Sequence, residues 1–355
     1  MTHRERVMTA LAHRRPDRAP RTIGLVGAAM EQFKAKTGSD NPSAYWDLDL
    51  SGWVGFAPPA VDWHARFARY YEGEPELPVF EFGEYPPEWG IASRKANYYH
   101  FSAPRFPLRR ATTVREIETF PFPDYVGEWK HDHLEGDVAR LKAEGHPVIG
   151  WAQRMFQNAW YLRSRDELFV DTVERPAIAE ALFANIERVV TGMAVRFAEA
   201  GVDILSVADD IGMQDRMMIA PDWWRRWVKP HWKAVFTAAR KVNPGLSIWY
   251  HTDGYFEPVI PDLIEIGVTL LNTVQPECMD PFKVKRQWGR DVSLAGTIGV
   301  QSTLRWSKPS EVRETVKRHI GELGADGGFI LSPANAIEPD VPWENIVAFM
   351  EAANG

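Results

Sequence analysis

The chain has 355 residues, of which 45% are hydrophobic and 25% are charged. It can therefore bury a large core and form either one large α/β domain or two ordinary ones. Its formal net charge of -7 argues against a nucleic-acid binder, because such proteins cluster Lys and Arg. The charged N-terminus and the lack of any apolar run of about 18 residues indicate a cytoplasmic protein without a membrane span. Cys278 is the single cysteine, which excludes an intrachain disulfide and a multi-cysteine zinc site.

The first part of the chain predicts a short helix, a strand and then an aromatic insertion. Residues 2–11 have the pattern of an amphipathic helix, and residues 19–26 are typical of a core strand. From about residue 40 to 130, frequent prolines and weak helical periodicity predict hairpins and loops. The aromatic residues of this insertion are Trp46, Trp53, Trp63, Tyr70, Tyr71, Trp89, Tyr98 and Tyr99.

From residue 132 onward, strand-like apolar runs alternate with helical segments. The runs cover 147–152, 202–210, 246–254, 269–277, 291–299 and 327–335. This alternation is the signature of repeated βα units and a parallel sheet. No Gly-rich dinucleotide fingerprint follows any of these runs, which favours a (β/α)8 barrel formed by the whole chain as a single domain. We expect the aromatic insertion to cover the barrel mouth, although its rings could equally pack on each other.

Polar side chains follow most of the predicted strands, and in a barrel they converge at one mouth. These candidate site residues are Trp151, Gln153, Asp209, Asp210, His251, Asp253, Gln275, Glu277, Cys278, Gln301 and Asn335. Any one of them is also explained by a turn or a helix cap, because strand ends are rich in such residues. The convergence of several of them predicts a functional site.

The stretch "WYHTDG" predicts a metal or catalytic centre within this set. His251 and Asp253 lie two residues apart, so on an extended backbone both side chains point to the same side. Glu277 or Cys278, from the next strand end, could supply a third ligand, and such a donor set suits zinc with an open position for substrate. The structural alternative is a turn at Asp253, with His251 donating a hydrogen bond into the loops.

The adjacent acids Asp209 and Asp210 are the second informative feature. Neighbouring side chains leave a strand on opposite faces, so we expect one carboxylate to enter the site while the other caps or orients the next loop. The one in the site could hold a cation, accept a substrate proton or fix an imidazole. A helix N-cap is the alternative interpretation of this pair.

The chain resembles the uroporphyrinogen decarboxylase superfamily. The segments that carry the resemblance are "RERVMTALAHRRPDRAP", "VADDIGMQ", "YHTDG", "NTVQPECMDP", "GTIGVQSTL" and "GGFILSPANAIEPDVPWENIVAFMEA". They occur in order from residue 2 to about 353, and the resemblance is weakest in the aromatic insertion. It implies a (β/α)8 barrel and one of two activities: cofactor-free decarboxylation of uroporphyrinogen, or zinc-dependent methyl transfer between a corrinoid and a thiol or a folate.

Departures from the family patterns separate the two branches. The decarboxylases carry an arginine-rich motif after the first strand that binds the substrate's carboxylates, whereas this region reads "RTIGLVGAAM" with only Arg21. The methyltransferases hold zinc with a His-x-Cys pair and a later Cys. His251 matches that histidine, but Asp253 stands at the first Cys position and Asn335 near the second. A zinc site with these ligands would favour an oxygen ligand over a thiol.

The resemblance therefore implies a methyltransferase or demethylase component that works with a corrinoid carried by a partner protein. His251 and Asp253 would form the core of a zinc site, and Glu277 or Cys278 would complete it. Catalytic roles fall to these two residues with Asp209 and Asp210, and substrate contacts to Trp151, Gln153, Gln275, Gln301 and Asn335. The alternatives are a decarboxylase or lyase of a small acidic substrate and a non-catalytic barrel that binds a tetrapyrrole or corrinoid. A homodimer is left open.

Overall fold

The computed structural model describes residues 1–76, 78–81, 85–95 and 102–354. Tyr98 and Tyr99 of the predicted insertion lie outside the described residues. The strands are β1 (Gly52–Val54), β2 (Ala92–Lys95), β3 (Ser102–Arg105), β4 (Val148–Arg154), β5 (Ile204–Ala208), β6 (Ser247–His251), β7 (Leu270–Asn272) and β8 (Ser293–Leu294).

Helices cover most of the remaining chain. They are α1 (His3–Leu11), α2 (Gly27–Thr37), α3 (Pro42–Tyr45), α4 (Trp63–Phe67), α5 (Val114–Glu118), α6 (Leu134–Ala143), α7 (Phe156–Arg163), α8 (Arg165–Glu174), α9 (Pro176–Ala200), α10 (Pro221–Trp227), α11 (Lys229–Val242), α12 (Ile260–Glu265), α13 (Pro281–Trp288), α14 (Thr303–Trp306), α15 (Pro309–Leu323) and α16 (Trp343–Ala353). Short 3-10 turns lie at Ala68–Tyr71, Pro87–Trp89 and Glu257–Val259. Among these helices, none is both long and apolar enough to cross a membrane.

The strands form the predicted (β/α)8 barrel. Six of them pair in parallel in the order β1-β4-β5-β6-β7-β8. Two short segments complete the ring, because β8 pairs in parallel with the chain at Phe329 and the chain at Leu331 pairs in parallel with Arg21. The backbone amide of Asp49, just before β1, then donates to the Arg21 carbonyl oxygen at 2.9 Å and closes the circle.

Register within the sheet separates an inner face from an outer face. Ile149 pairs with Ile204, and both belong to a buried cluster with Leu270 that fills the barrel interior. Gly150, the next residue, faces outward, because a Cβ atom built on it would lie 2.6 Å from the Phe197 ring of α9. Positions of odd number at the start of β4 therefore point into the barrel, as the alternation of a strand requires.

The outer helices bury apolar stripes against the barrel and against each other. In α15, Val312, Val316 and Leu323 are buried and pack with Phe349 of α16. Pro309 is the first residue of α15, where its missing N–H would have no partner in the helix. The stripe belongs to the core and leaves the barrel mouth to the loops that follow the strands.

The aromatic segment begins later than the sequence predicts. β1 lies inside the range 40–130, and it is a barrel strand because it pairs in parallel with β4. The extra segment therefore follows Val54 and ends before α6. It contains the antiparallel pair β2–β3, and its buried rings include Trp89, whose indole nitrogen donates to the Tyr125 hydroxyl at 3.1 Å.

Candidate metal site at the barrel mouth

Three potential metal ligands meet at the carboxyl ends of β5 and β6. Asp210, His251 and Asp253 each offer one ligand atom, and these atoms all lie within 4.8 Å of one another. Strand pairing explains why they meet. Ala208 and His251 are register partners of adjacent parallel strands, and Asp210 and Asp253 each lie two residues beyond them, so the two acids are neighbours. All three side chains are half-buried, so a substrate can reach them.

The imidazole of His251 is oriented with one nitrogen free for a ligand. Its Nδ1 atom lies 2.6 Å from Oδ1 of Asn272 on β7, an interaction in which Nδ1–H donates to the amide oxygen. In the neutral imidazole this contact leaves the lone pair on Nε2, which lies 3.8 Å from Oδ1 of Asp253. A partner on the second ring nitrogen is how proteins usually orient a metal-binding histidine.

Amide side chains also hold the two carboxylates. Asn335 donates to Oδ2 of Asp253 at 2.9 Å, and Gln157 donates to Oδ2 of Asp210 at 2.9 Å. Oδ1 of Asp210 accepts the backbone amide of Asp253 at 3.0 Å. Burial raises the pKa of Asp253, an effect that the nearby His251 partly opposes. A bound cation would supply the positive charge that these carboxylates lack.

Asp209 has a different place from its neighbour Asp210. Its side chain is fully buried, and Oδ1 accepts the backbone amides of Met155 and Gln157, each at 3.0 Å. Oδ2 accepts the indole N–H of Trp232 at 2.7 Å. Asp209 therefore caps the N-terminus of α7 and ties it to α11, while Asp210 faces the mouth.

Burial raises the pKa of the Asp209 carboxyl to about 7. In an unfolded chain the pKa of Asp is about 3.9, so between these pH values the folded chain binds more protons. This contribution to stability is present below pH 4 and is lost as pH rises through 7. We expect the free energy of unfolding of the parent, relative to Asp209→Asn, to fall by roughly 2 to 3 kcal/mol between pH 5 and pH 8. Urea unfolding across that range measures the difference, and a flat difference would contradict the prediction.

A cavity of about 340 Å³ opens beside His251. It is lined by residues from several strand ends, among them Trp53, Trp249, His251, Asn272 and Asn335. The Trp53 and Trp249 ring centroids lie 5.8 Å apart, and 47% of Trp53 is exposed. Of the tryptophans in the predicted insertion, Trp53 is therefore placed to contact a ligand at the mouth.

Tryptophan fluorescence can test whether a corrinoid binds in this cavity beside Trp53. We expect aquocobalamin to quench the parent and Trp53→Phe to lose a measurable part of that response. Trp46 packs instead with Phe33 and Trp343, and Trp89 is fully buried, so Trp46→Phe and Trp89→Phe serve as matched controls. The measurement is the inner-filter-corrected quenching curve of each variant. Equal responses from Trp53→Phe and the two controls would contradict the prediction.

Four further residues predicted at the mouth have other surroundings. Gln275 is buried and accepts the backbone amide of Gly254, so it holds the loop after β6. Gln301 is exposed in the turn before α14. Glu277 accepts the Ser302 hydroxyl at 2.6 Å, and burial together with the Glu277 charge raises the pKa of the Cys278 thiol to about 11. In the described chain, the three-ligand group contains Asp210 in the place predicted for Glu277 or Cys278.

A β-bulge in β4 determines which of its last residues faces the mouth. Trp151 pairs with Ser206, yet Ala208 pairs with Arg154, so the register shifts by one residue between these pairs. Gln153 adopts a φ of 72° and donates to the buried Tyr125 hydroxyl at 3.0 Å. The alternation of a regular strand predicts Gln153 at the mouth, and the bulge puts Arg154 there instead.

Comparison with known proteins supports this barrel and gives its family. Residues 102–355 match the family model of uroporphyrinogen decarboxylase (URO-D), which is well over half of the chain. A uroporphyrinogen decarboxylase of Thermus thermophilus is 29% identical over 214 residues, which cover 56% of this chain and 57% of that protein. The methylcobamide:CoM methyltransferase MtaA of Methanosarcina barkeri is 25% identical over 194 residues, 54% of this chain and 50% of that protein. The chain thus matches only about half the length of these curated relatives.

A solved structure matches the fold over its full length. The methyltransferase from Methanosarcina mazei superposes with a TM-score of 0.67 and 17% identity, covering 100% of this chain and 98% of that one. At this level of identity the similarity establishes the barrel fold. The chain belongs to the uroporphyrinogen decarboxylase family, as its sequence motifs predict.

Proposed function

We propose that this chain is a methyltransferase or demethylase component that moves a methyl group to or from a corrinoid, with metal-assisted activation of the substrate. The observation that carries the proposal is the group formed by Asp210, His251 and Asp253 at an open barrel mouth. Its relatives by sequence include a protein named as a methyltransferase that acts on a methylcobamide. The substrate and the corrinoid partner belong to the proposal.

The residues present fit a divalent metal. One imidazole nitrogen and two carboxylates offer three ligands, and catalytic zinc is usually bound by three protein ligands with a further position open. Zinc held by Asp210, His251 and Asp253 would supply a Lewis acid for a substrate oxygen or thiol. The harder carboxylate ligands favour the oxygen.

The chain's own side chains would perform the other steps. Asn272 orients the imidazole of His251 through Nδ1, so that Nε2 faces the two acids, and Asn335 and Gln157 hold the carboxylates in place. Trp53 and Trp249 present aromatic faces beside the site, where an apolar ring can stack. The mouth stays open enough for a cofactor carried by a second protein to approach.

Uroporphyrinogen is a poor fit to this mouth. The guanidinium of Arg21 is buried, and it donates to the side chain of Asn354 and to the carbonyl oxygens of Trp46 and Asp47. It is therefore unavailable to bind the substrate carboxylates. We expect no release of CO₂ from uroporphyrinogen at an enzymatic rate, as measured with labelled substrate. Release that Asp210→Ala abolishes would overturn the methyltransferase proposal in favour of a decarboxylase.

Methyl transfer is tested with methylcobalamin and a panel of thiol and hydroxyl acceptors. We expect the zinc-loaded parent to demethylate methylcobalamin, followed by its visible absorbance, and His251→Ala to slow the rate by at least about 100-fold. His231 lies on α11 and pairs with Glu187 at 2.6 Å, so His231→Ala is the matched control and should keep the parental rate. Tight corrinoid binding with no turnover would favour a carrier barrel. Turnover of a small acid without any corrinoid would favour a lyase.

A further inference from the structure

Arg154 is a charged residue at the mouth that the mechanism above does not use. The bulge in β4 makes Arg154 the register partner of Ala208, which in turn is the partner of His251. In-register residues of parallel strands point to the same face of the sheet, so Arg154 and His251 share the inner face. Strands lie about 4.8 Å apart, which separates these two Cα atoms by roughly 10 Å.

The direction of the Arg154 side chain agrees with this placement. Its Cζ atom lies 5.2 Å from the ring centroid of Trp151, one layer deeper in the barrel. Trp151 points inward, because it is two residues from Ile149, which belongs to the interior cluster. The guanidinium therefore lies over an indole ring that points into the barrel, at a distance typical of a cation–π contact.

Arg154 has no acidic partner among the described residues. Among the described residues, no carboxylate forms a salt bridge with its guanidinium within 4.0 Å, although the side chain is half-buried. Buried arginines elsewhere in the chain are paired: Arg163 with Asp171 at 2.6 Å, and Arg196 with Glu135 at 2.8 Å. A half-buried charge without a counter-charge is costly unless a ligand supplies one.

Charge balance at the mouth indicates whether that ligand is an anion or a cation. A dication held by the carboxylates of Asp210 and Asp253 and by neutral His251 forms a group with no net charge. Arg154 then leaves one positive charge beside it, and a planar guanidinium binds a carboxylate, sulfonate or phosphate through paired hydrogen bonds. We propose that Arg154 binds an anionic group of the substrate whose reacting atom lies at Asp210, His251 and Asp253. The identity of that reacting atom rests on the function proposed above.

Direct binding tests the inference without methyl transfer. Calorimetry compares ligands that differ in the anionic group: 3-mercaptopropionate and 2-mercaptoethanesulfonate against 2-mercaptoethanol, and 3-methoxybenzoate against 3-methoxybenzamide. We expect the zinc-loaded parent to prefer the anions, and Arg154→Gln to weaken their binding by about 10- to 100-fold while changing the neutral ligands less than about 2-fold. Arg154→Lys should keep part of the preference. Comparing the affinities for 3-mercaptopropionate and 2-mercaptoethanesulfonate shows whether the site favours a carboxylate or a sulfonate.

Arg226 provides the matched control. Its Cζ atom also lies 5.2 Å from a tryptophan ring centroid, that of Trp227, but it is exposed on α10. Arg226→Gln should leave every affinity unchanged. Equal binding of anionic and neutral ligands by the parent, or an unchanged preference in Arg154→Gln with a parental melting temperature, would overturn the inference.

The two proposals fail separately. Anion preference that depends on Arg154, with no methyl transfer from methylcobalamin, would refute the function and leave the role of Arg154 standing. Methyl transfer with equal KM values for 3-mercaptopropionate in the parent and in Arg154→Gln would refute only the role of Arg154.

Discussion

Replacing His251 with alanine is expected to remove bound metal and activity while leaving the fold intact. The imidazole offers Nε2 to the metal group and is held through Nδ1 by Asn272, so its loss should lower zinc affinity by more than about 100-fold. The side chain is 30% exposed at the mouth and is not part of the buried core, so we expect the melting temperature to change by no more than about 2 °C.

Two substitutions of Asp253 are expected to change zinc affinity in opposite directions. Asp253→Asn keeps an oxygen donor but removes the charge that attracts a dication, so zinc affinity should fall less than in His251→Ala. Asp253→Cys restores a His-x-Cys pair and should raise zinc affinity, since thiolate is a softer and stronger zinc ligand. Zinc per chain and melting temperature are measured for all three variants beside the parent. A large drop in melting temperature for His251→Ala, with no metal in the parent, would make this histidine a structural residue.

The adjacent acids Asp209 and Asp210 are expected to separate stability from metal binding. Asp209→Ala leaves the amides of Met155 and Gln157 and the Trp232 indole N–H without an acceptor in a fully buried place. Each unpaired group costs about 1 to 3 kcal/mol, so the free energy of unfolding should fall by about 3 to 5 kcal/mol at pH 6.

Asp210→Ala should lose zinc binding and keep most of its stability. Its carboxylate is half-buried and faces the ligand group, so we expect zinc binding to be lost while the free energy of unfolding falls by only about 1 kcal/mol. Asp209→Asn keeps one oxygen for the α7 amides but turns an amide nitrogen toward Trp232, and an intermediate loss is expected. Urea unfolding and metal analysis of the three variants are the measurements. Equal destabilisation by Asp209→Ala and Asp210→Ala would refute the assignment of separate roles.

Much of the barrel could be predicted because strands and helices follow local patterns. The first five apolar runs after residue 132 correspond to β4 through β8, and the sixth contains Phe329 and Leu331 of the segment that closes the ring. The residues that follow β5 and β6 do converge at the mouth. β1 was hidden because it spans only Gly52–Val54 and has too few residues to show a period. Because β1 contains Trp53, its sequence resembles that of the aromatic insertion that follows it.

The composition of the ligand group was harder to predict than its location. His251 and Asp253 follow from their spacing, but a third ligand depends on loop paths between strands. The loop after β7 directs Glu277 to Ser302, while Asp210 stays in line with Asp253 through a backbone hydrogen bond. Arg154 was missed because a bulge breaks the alternation that places Gln153 inward, and no local sequence signal marks that bulge.

The identity of the atoms around a bound metal tests the central claim most directly. X-ray absorption at the zinc edge of the loaded parent, purified without a chelating tag, reports the ligand atoms. Binding by Asp210, His251 and Asp253 predicts only nitrogen and oxygen neighbours at about 2.0 to 2.2 Å, which Asp210→Ala should disrupt. A sulfur neighbour at about 2.3 Å would place Cys278 on the metal, and a parent that binds no zinc would remove the metal altogether; either result contradicts the proposed site.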